Sequence, residues 1–223
     1  MTEKNKNQDS RLFTILSGLV VLTCLIAATI LYPQLPEQVP SHWNAAGEID
    51  GYMGRLGGAF FIPTIMLGLL IMLLIIPKID PKKANYRQMG KVYSIVVFAI
   101  ITFMGNMYAG TIAAVHGYEM AVPRIAMTGI GLLFIILGYY MGRIKYNYTF
   151  GIRTPWTLAS EEVWYKTHRT MAPLWVVGGV ILLPVSFLPS SWTIPLILGV
   201  SLVLSLGSAV YSFIVYRKVA KDV

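Results

Sequence analysis

A chain of 223 residues that is 56% hydrophobic and only 13% charged cannot be an ordinary soluble domain, where roughly a quarter of residues are charged. A formal net charge of +8 invites a nucleic-acid reading, but the loops that carry the basic residues alternate along the chain, which is the pattern of a membrane protein.

Six apolar runs, at 12–32, 58–77, 92–115, 125–142, 172–188 and 194–216, come close to the length of about 20 residues that crosses the hydrocarbon as a helix. They predict an all-α integral membrane protein, a bundle of six transmembrane helices whose short loops leave no room for a soluble domain. The first run follows Lys4, Lys6 and Arg11. It is longer than the short apolar core of a secretory signal and no A-x-A cleavage pattern follows, so an uncleaved span is expected. Cys24, the only cysteine, lies inside this run and has no intrachain partner. Alternate sides of the bundle carry 16 and 2 of the Lys and Arg residues. The positive-inside rule then places both termini and the 143–171 loop in the cytoplasm and the 33–57 loop outside. The basic face suits anionic membrane lipid, and no direct nucleic-acid contact is expected.

In the 33–57 loop, Pro33, Pro36 and Pro40 prevent helix, and Asn44 to Gly47 and Asp50-Gly51 supply turn chemistry, so an ordered, extended external loop is predicted. His42, Glu48 and Asp50 are metal-compatible side chains, but they lack the tight spacing of zinc motifs, and neither a metal nor a cofactor is expected. The 78–91 loop, with Asp80-Pro81, reads as a solvated turn. Asn106, in the middle of the third span, is expected to hydrogen-bond a neighbouring helix. Gly138 and Gly142 at the end of the fourth span have the GxxxG spacing that seats another helix. The fifth span, with Gly178-Gly179 and Pro184, is expected to bend or pack closely. Residues 189–195 read as a tight external hairpin. Ser201, Ser205, Ser208 and Ser212 put a small-residue face on the last span.

The longest polar interval, Arg143 to Met171, carries the densest chemistry: Trp156, Trp164, His168 and five basic residues. Gly151 and Thr154-Pro155 must interrupt the preceding helix. Ser160 is a candidate N-cap with Glu161 and Glu162 in the first turn, predicting a short amphipathic helix from Ser160 to about Arg169. On it Trp164 and His168 share a face with Glu161, and Glu162 can pair with Lys166. From the residues alone, Trp156 and Trp164 also suit interfacial aromatics, and the basic residues suit simple topology determinants.

Asn147, Gly151-Ile-Arg-Thr-Pro-Trp-Thr-Leu158 and then Glu161, Val163, Trp164, Thr167, His168 and Arg169 together resemble the signature of the SdpI family, bacterial membrane proteins that give immunity to a secreted toxic peptide. Pro40, His42, Trp43, Asn44, Gly47, Asp50 and Gly51 resemble the P-x-H-W-N-x-x-G-x-x-D-G motif of a small membrane domain of unassigned function often found ahead of it. The resemblance implies an N-terminal membrane part at 1–115 and an SdpI-like part at 116–223. It also implies a multi-pass protein of the bacterial plasma membrane, not an enzyme, which protects against the peptide and signals by holding a transcriptional repressor at the membrane. Its candidate functional residues are Arg153, Thr154, Pro155, Trp156, Thr157, Trp164, His168 and Arg169 inside, and His42, Trp43, Asn44 and Asp50 outside.

None of the six runs contains an ionisable Asp, Glu, Lys, Arg or His, which disfavours an ion-coupled transporter. P-loop, nucleophile-elbow and zinc-protease motifs are missing. Two other readings remain: a membrane enzyme or lipid-handling protein using His42 with Asp50 or His168 with Glu161, and a structural partner of another membrane protein.

Overall fold

The computed structural model describes residues 3–118 and 121–221. Six of its helices are long and apolar enough to cross a membrane: α1 (Glu3–Leu31), α2 (Arg55–Ile79), α4 (Lys91–Val115), α5 (Ala121–Met141), α7 (Glu161–Val185) and α8 (Ser190–Val219). Two short helices, α3 (Lys83–Met89) and α6 (Pro155–Ala159), lie in the loops at one end. The fold class is therefore as the sequence predicts, an all-α bundle of six membrane-spanning helices. The proline-rich loop adds a small feature at the opposite end. There β1 (Gln38–Trp43) pairs antiparallel with β2 (Ile49–Gly54), with register irregularities on either side of His42.

The helices pack as two groups of three, α1 with α2 and α4, and α7 with α5 and α8, joined where α4 meets α5. Val21, Cys24, Ala28, Met66, Leu70, Val97, Ile101 and Tyr108 form the core of the first group. Leu35, Val39 and Ala59 seat the β-hairpin on α2 and α4, and a Cβ on Gly58 would stand 2.4 Å from the Val39 side chain. In the second group α5 and α7 touch backbone to backbone. A Cβ on Gly179 would lie 2.5 Å from the Gly131 carbonyl oxygen, and one on Gly138 would lie 2.6 Å from the Val176 nitrogen. Without a hydrophobic drive between lipid-bathed helices, this close approach and its dispersion contacts hold the pair together. The GxxxG expectation holds, and the helix it seats is α7.

Five local expectations are corrected. The 78–91 loop is not a simple solvated turn, because α3 folds back and leaves Asp80 only 4% exposed. The amphipathic segment after Ser160 and the fifth span are one helix, α7, since Glu161 to Arg169 runs on without a breaker and Pro173 is accommodated inside it. Ser160 does cap that helix, accepting from Val163 N–H at 3.4 Å. The 189–195 link is mostly helix, with Pro189 as the N-cap and Pro195 inside the second turn of α8. Asn106 donates to Thr102 O of its own helix at 2.9 Å rather than to a neighbour. Of the four serines on α8, Ser208 and Ser212 are buried while Ser205 is exposed, so only the end near the 143–171 loop packs through them.

Candidate functional site

The 143–171 interval folds as an ordered cap over one end of the bundle, built outward from Asn147. That side chain is fully buried and every polar atom on it is used. Its Nδ2 donates to Lys145 O at 2.8 Å and Phe150 O at 2.9 Å. Its Oδ1 accepts from the N–H groups of Thr149 (2.9 Å) and Phe150 (2.6 Å), so the amide replaces the secondary structure the loop lacks.

Asp80 enters this loop from the far end of α2. Its carboxylate accepts from Thr149 Oγ1 at 2.6 Å, from Tyr86 Oη at 3.1 Å and from the N–H groups of Lys82 (2.7 Å) and Tyr148 (3.1 Å). Tyr86 Oη also reaches Thr149 Oγ1, and Asn147 Oδ1 at 3.2 Å. Burial alone pushes the Asp80 carboxyl up, but the bonds from Thr149, Lys82, Tyr148 and Tyr86 together outweigh it and hold the group below the usual carboxylate range. Burial, reinforced by the Asp80 charge and opposed by the Thr149 hydroxyl, pushes the Tyr86 phenol up to about 12. The charged carboxylate and neutral phenol thus form a donor–acceptor knot that ties α2 and α3 to the cap.

A second network lies beneath Gly151. Trp164 and His168, one turn apart on α7, are buried and stacked with centroids 4.1 Å apart. Trp164 Nε1 donates to Ile144 O at 3.0 Å. His168 Nε2 accepts from Ile152 N–H at 2.9 Å, which leaves the proton on Nδ1, from which it donates to Trp164 O at 2.8 Å. Gly151 has φ +120°, and a Cβ there would lie 2.5 Å from His168 Nε2. Only glycine lets the chain pass this close in that conformation. Both ring nitrogens are occupied by backbone, so His168 positions the loop, and its Glu161 pairing is not formed. Glu161 is exposed and stands 3.9 Å from Lys82, while Glu162 pairs with Lys166 at 2.6 Å as the spacing implied.

The rest of the motif closes the cap. Thr154 is the N-cap of α6 in a reciprocal capping box with Thr157, and Pro155 sits in its first turn. The buried Thr157 hydroxyl donates to Ile152 O at 2.8 Å. Thr154 Oγ1 is 2.9 Å from Ser212 Oγ and the half-buried Trp156 packs on Phe213, which fastens α6 to α8. Arg153 is exposed, and its Nη1 donates to the carbonyls of Tyr148 (2.9 Å) and Thr149 (3.1 Å). Arg169 is exposed on α7. The interfacial reading of Trp164 is therefore corrected: it is wholly buried, a keystone under the loop.

At the hairpin end, His42 Nδ1 and Asp50 Oδ1 are 2.5 Å apart on an open surface. Asn44 Oδ1 accepts from the N–H groups of Ala46 (2.9 Å) and Glu48 (3.0 Å), and its Nδ2 donates to Glu48 Oε2 at 3.1 Å. Glu48 is thereby bonded to Asn44 through both its carboxylate and its main chain. Among the described residues, no group of three His, Cys, Asp or Glu side chains is placed to hold a metal. Trp43 is half-buried, and its Nε1 is enclosed with no hydrogen-bond partner.

Residues 143–212 match the model of the SdpI/YfhL protein family. That stretch begins at the cap and ends on α8 at Ser212, which the cap touches. The chain carries an SdpI-family region. Residues 18–67, which include the hairpin, match a domain of unknown function (DUF1648). Across almost its whole length the chain is similar to the immunity protein SdpI of Bacillus subtilis (strain 168), 28% identical over 206 residues, covering 92% of this chain and 96% of that protein. No solved structure matches. With six membrane-spanning helices, this is a multi-pass protein of the bacterial plasma membrane.

Sequence reasoning found His168, Trp164 and the capping threonines but missed Asp80, Tyr86 and Thr149, and quoted Asn147 without assigning it a task. Two signals pointed to them. Asp80 is a carboxylate directly after an apolar run, where a charge is expensive unless paired, and Asn147-x-Thr149 has the spacing of a side-chain turn.

Proposed function

We propose that this is a membrane immunity protein that protects the cell from a secreted toxic peptide, with both termini and the cap in the cytoplasm and the β-hairpin outside. The observation that carries this reading is the similarity to an immunity protein over nearly the full length of both chains. The SdpI-family stretch begins with a cap built from buried hydrogen bonds rather than loose interfacial loop. In this reading residues 1–115 form the outward-facing receptor part and 116–223 the part that acts inside. The exposed groups on the cap, Arg153, Arg169 and the Glu162–Lys166 pair, form the face offered to a cytoplasmic transcriptional repressor, while Thr154, Thr157, Trp164 and His168 hold that face in shape. His42, Asn44 and Asp50 hold the hairpin in shape.

This reading assigns no catalytic step, and the alternative of proton transfer by His168 with Glu161 is disfavoured because backbone groups hold both His168 nitrogens. The test is survival. Bacillus subtilis lacking its own SdpI and expressing this protein is challenged with medium conditioned by strain 168. Survival matching the SdpI-expressing strain supports immunity, and killing at the rate of the empty-vector strain overturns it.

A further inference from the structure

Beneath the hairpin lies a cavity of about 360 Å³, close to the lower end of the range of small-ligand pockets. One wall is β1 from Pro40 to Trp43 with Phe61 of α2 and Met107 of α4. The other comes from the second helix group, including Met127 of α5, Leu188 and Ile194. The lining is mainly apolar. Among the described residues, Arg124 is its only Lys or Arg, and it contains no Asp or Glu.

Ser41, His42, Asn44, Thr111, Ser186 and Thr193 also line it, and next to them Trp43 carries the unpartnered N–H. An enclosed N–H without an acceptor forfeits its bond to water and gains nothing in return, so such groups are rare and call for an explanation. Here the orphan indole N–H belongs to a residue that lines a cavity, beside a strand in a sheet of only two, which leaves unpaired main-chain edge. Apolar volume, an unpartnered donor in the wall and a two-stranded sheet are what an extended peptide uses when it binds beside a sheet: side chains fill the pocket and main-chain carbonyls take the donors.

We infer that this cavity is where the toxic peptide docks, taking an apolar extended segment of it, with the Trp43 indole turning to donate its enclosed Nε1–H to a main-chain carbonyl and any anionic end turned to Arg124. The inference rests on the immunity reading and the outward hairpin. Because the walls belong to both helix groups, a bound peptide bridges them.

The survival assay described above tests it with three variants. Trp43→Phe keeps an aromatic side chain but removes the orphan donor with the five-membered half of the indole, Ala126→Phe fills the cavity from α5, and Tyr52→Phe alters an exposed hairpin residue outside it. Loss of one neutral hydrogen bond lowers the tolerated dose of conditioned medium about threefold to tenfold in Trp43→Phe. Ala126→Phe lowers it at least as far, and Tyr52→Phe leaves it unchanged, all at wild-type abundance in the membrane fraction. If the native protein protects and both cavity variants protect equally well, the docking site is overturned and immunity stands. If the native protein does not protect, the immunity reading falls and takes this inference with it. A Met107→p-benzoylphenylalanine variant, irradiated in conditioned medium and purified for intact mass, separates the occupants. An adduct of peptide mass supports the proposal, and adducts of lipid mass alone overturn it in favour of a lipid.

Discussion

Asp80 shows how one carboxylate organises a membrane protein that keeps charge out of its spans. An unpaired ion at this depth would be costly, and four donors make it favourable. Hydrogen bonds to a charged group are each worth about 1.5–3 kcal/mol. Thr149→Val, which removes a donor that sits partly at the surface, is expected to cost about 1.5 kcal/mol, the lower end of that range. The unfolding midpoint in detergent, followed by the reactivity of the buried Cys24 thiol, measures it. The pH dependence has a definite sign. Because folding lowers the Asp80 pKa overall, its contribution is present above the unfolded value near about 3.9 and disappears as pH falls through the lower folded value. The native protein should therefore lose stability on acidification through that window. Asp80→Asn should start less stable at neutral pH and show a flatter acid limb in the same assay.

Arg153 is a residue of a different kind. Its Nη1 clips two carbonyls of the loop, which orients the guanidinium while the side chain stays exposed. Lysine offers a point charge without the planar fork and cannot hold the loop and present a flat donor edge together. Arg153→Lys is expected to impair survival nearly as much as Arg153→Ala, with unchanged protein in the membrane fraction. Lys145→Arg should be silent, since Lys145 serves as a cation over the Tyr165 ring, a task arginine also performs.

At the scale of elements, the contact between α5 and α7 fixes the cap. Gly138 leaves no room for a side chain against Ala172 and Val176, so Gly138→Leu must push α7 outward and displace Trp164 and His168. Gly199 of α8 faces open space, and Gly199→Leu is the matched control. Limited proteolysis in the 143–160 region should accelerate in the first variant and not in the second. Much of this architecture was legible in the sequence. The six apolar runs announce the spans, the Gly138-x-x-x-Gly142 spacing announces a helix seat, and Ser160 followed by two glutamates announces a helix start. What stayed hidden is long-range. Nothing in the local pattern says that Asp80 meets Thr149, because hydropathy reads neighbours along the chain. For the same reason Trp164 could be read as interfacial, since a tryptophan beside polar residues looks alike whether it faces lipid headgroups or lies beneath a folded loop.

The whole molecule is two three-helix groups with a hairpin at one end and a hydrogen-bonded cap at the other. The proposed orientation rests on the distribution of charge, with 16 of the 18 basic residues on the side of the cap. In a Cys24→Ser background, cysteines placed at Gln38 and Tyr118 should react with a membrane-impermeant thiol reagent in whole cells, and one at Lys83 should react only after lysis. Labelling at position 83 in intact cells would invert the molecule and remove the cap from the cytoplasm. The Asp80 network also sets an order of manufacture. Its loop partners lie 68 and 69 residues further along the chain, so when α2 leaves the ribosome its terminal carboxylate has only nearby donors, Lys82 N–H and Tyr86. The α2–α3 turn must stay at the water boundary until α4, α5 and the segment through Thr149 have been made. Closure of the cap is then a late step in biogenesis, and a nascent chain cut short before Asn147 has two of the four donors to Asp80 and must leave water to supply the rest.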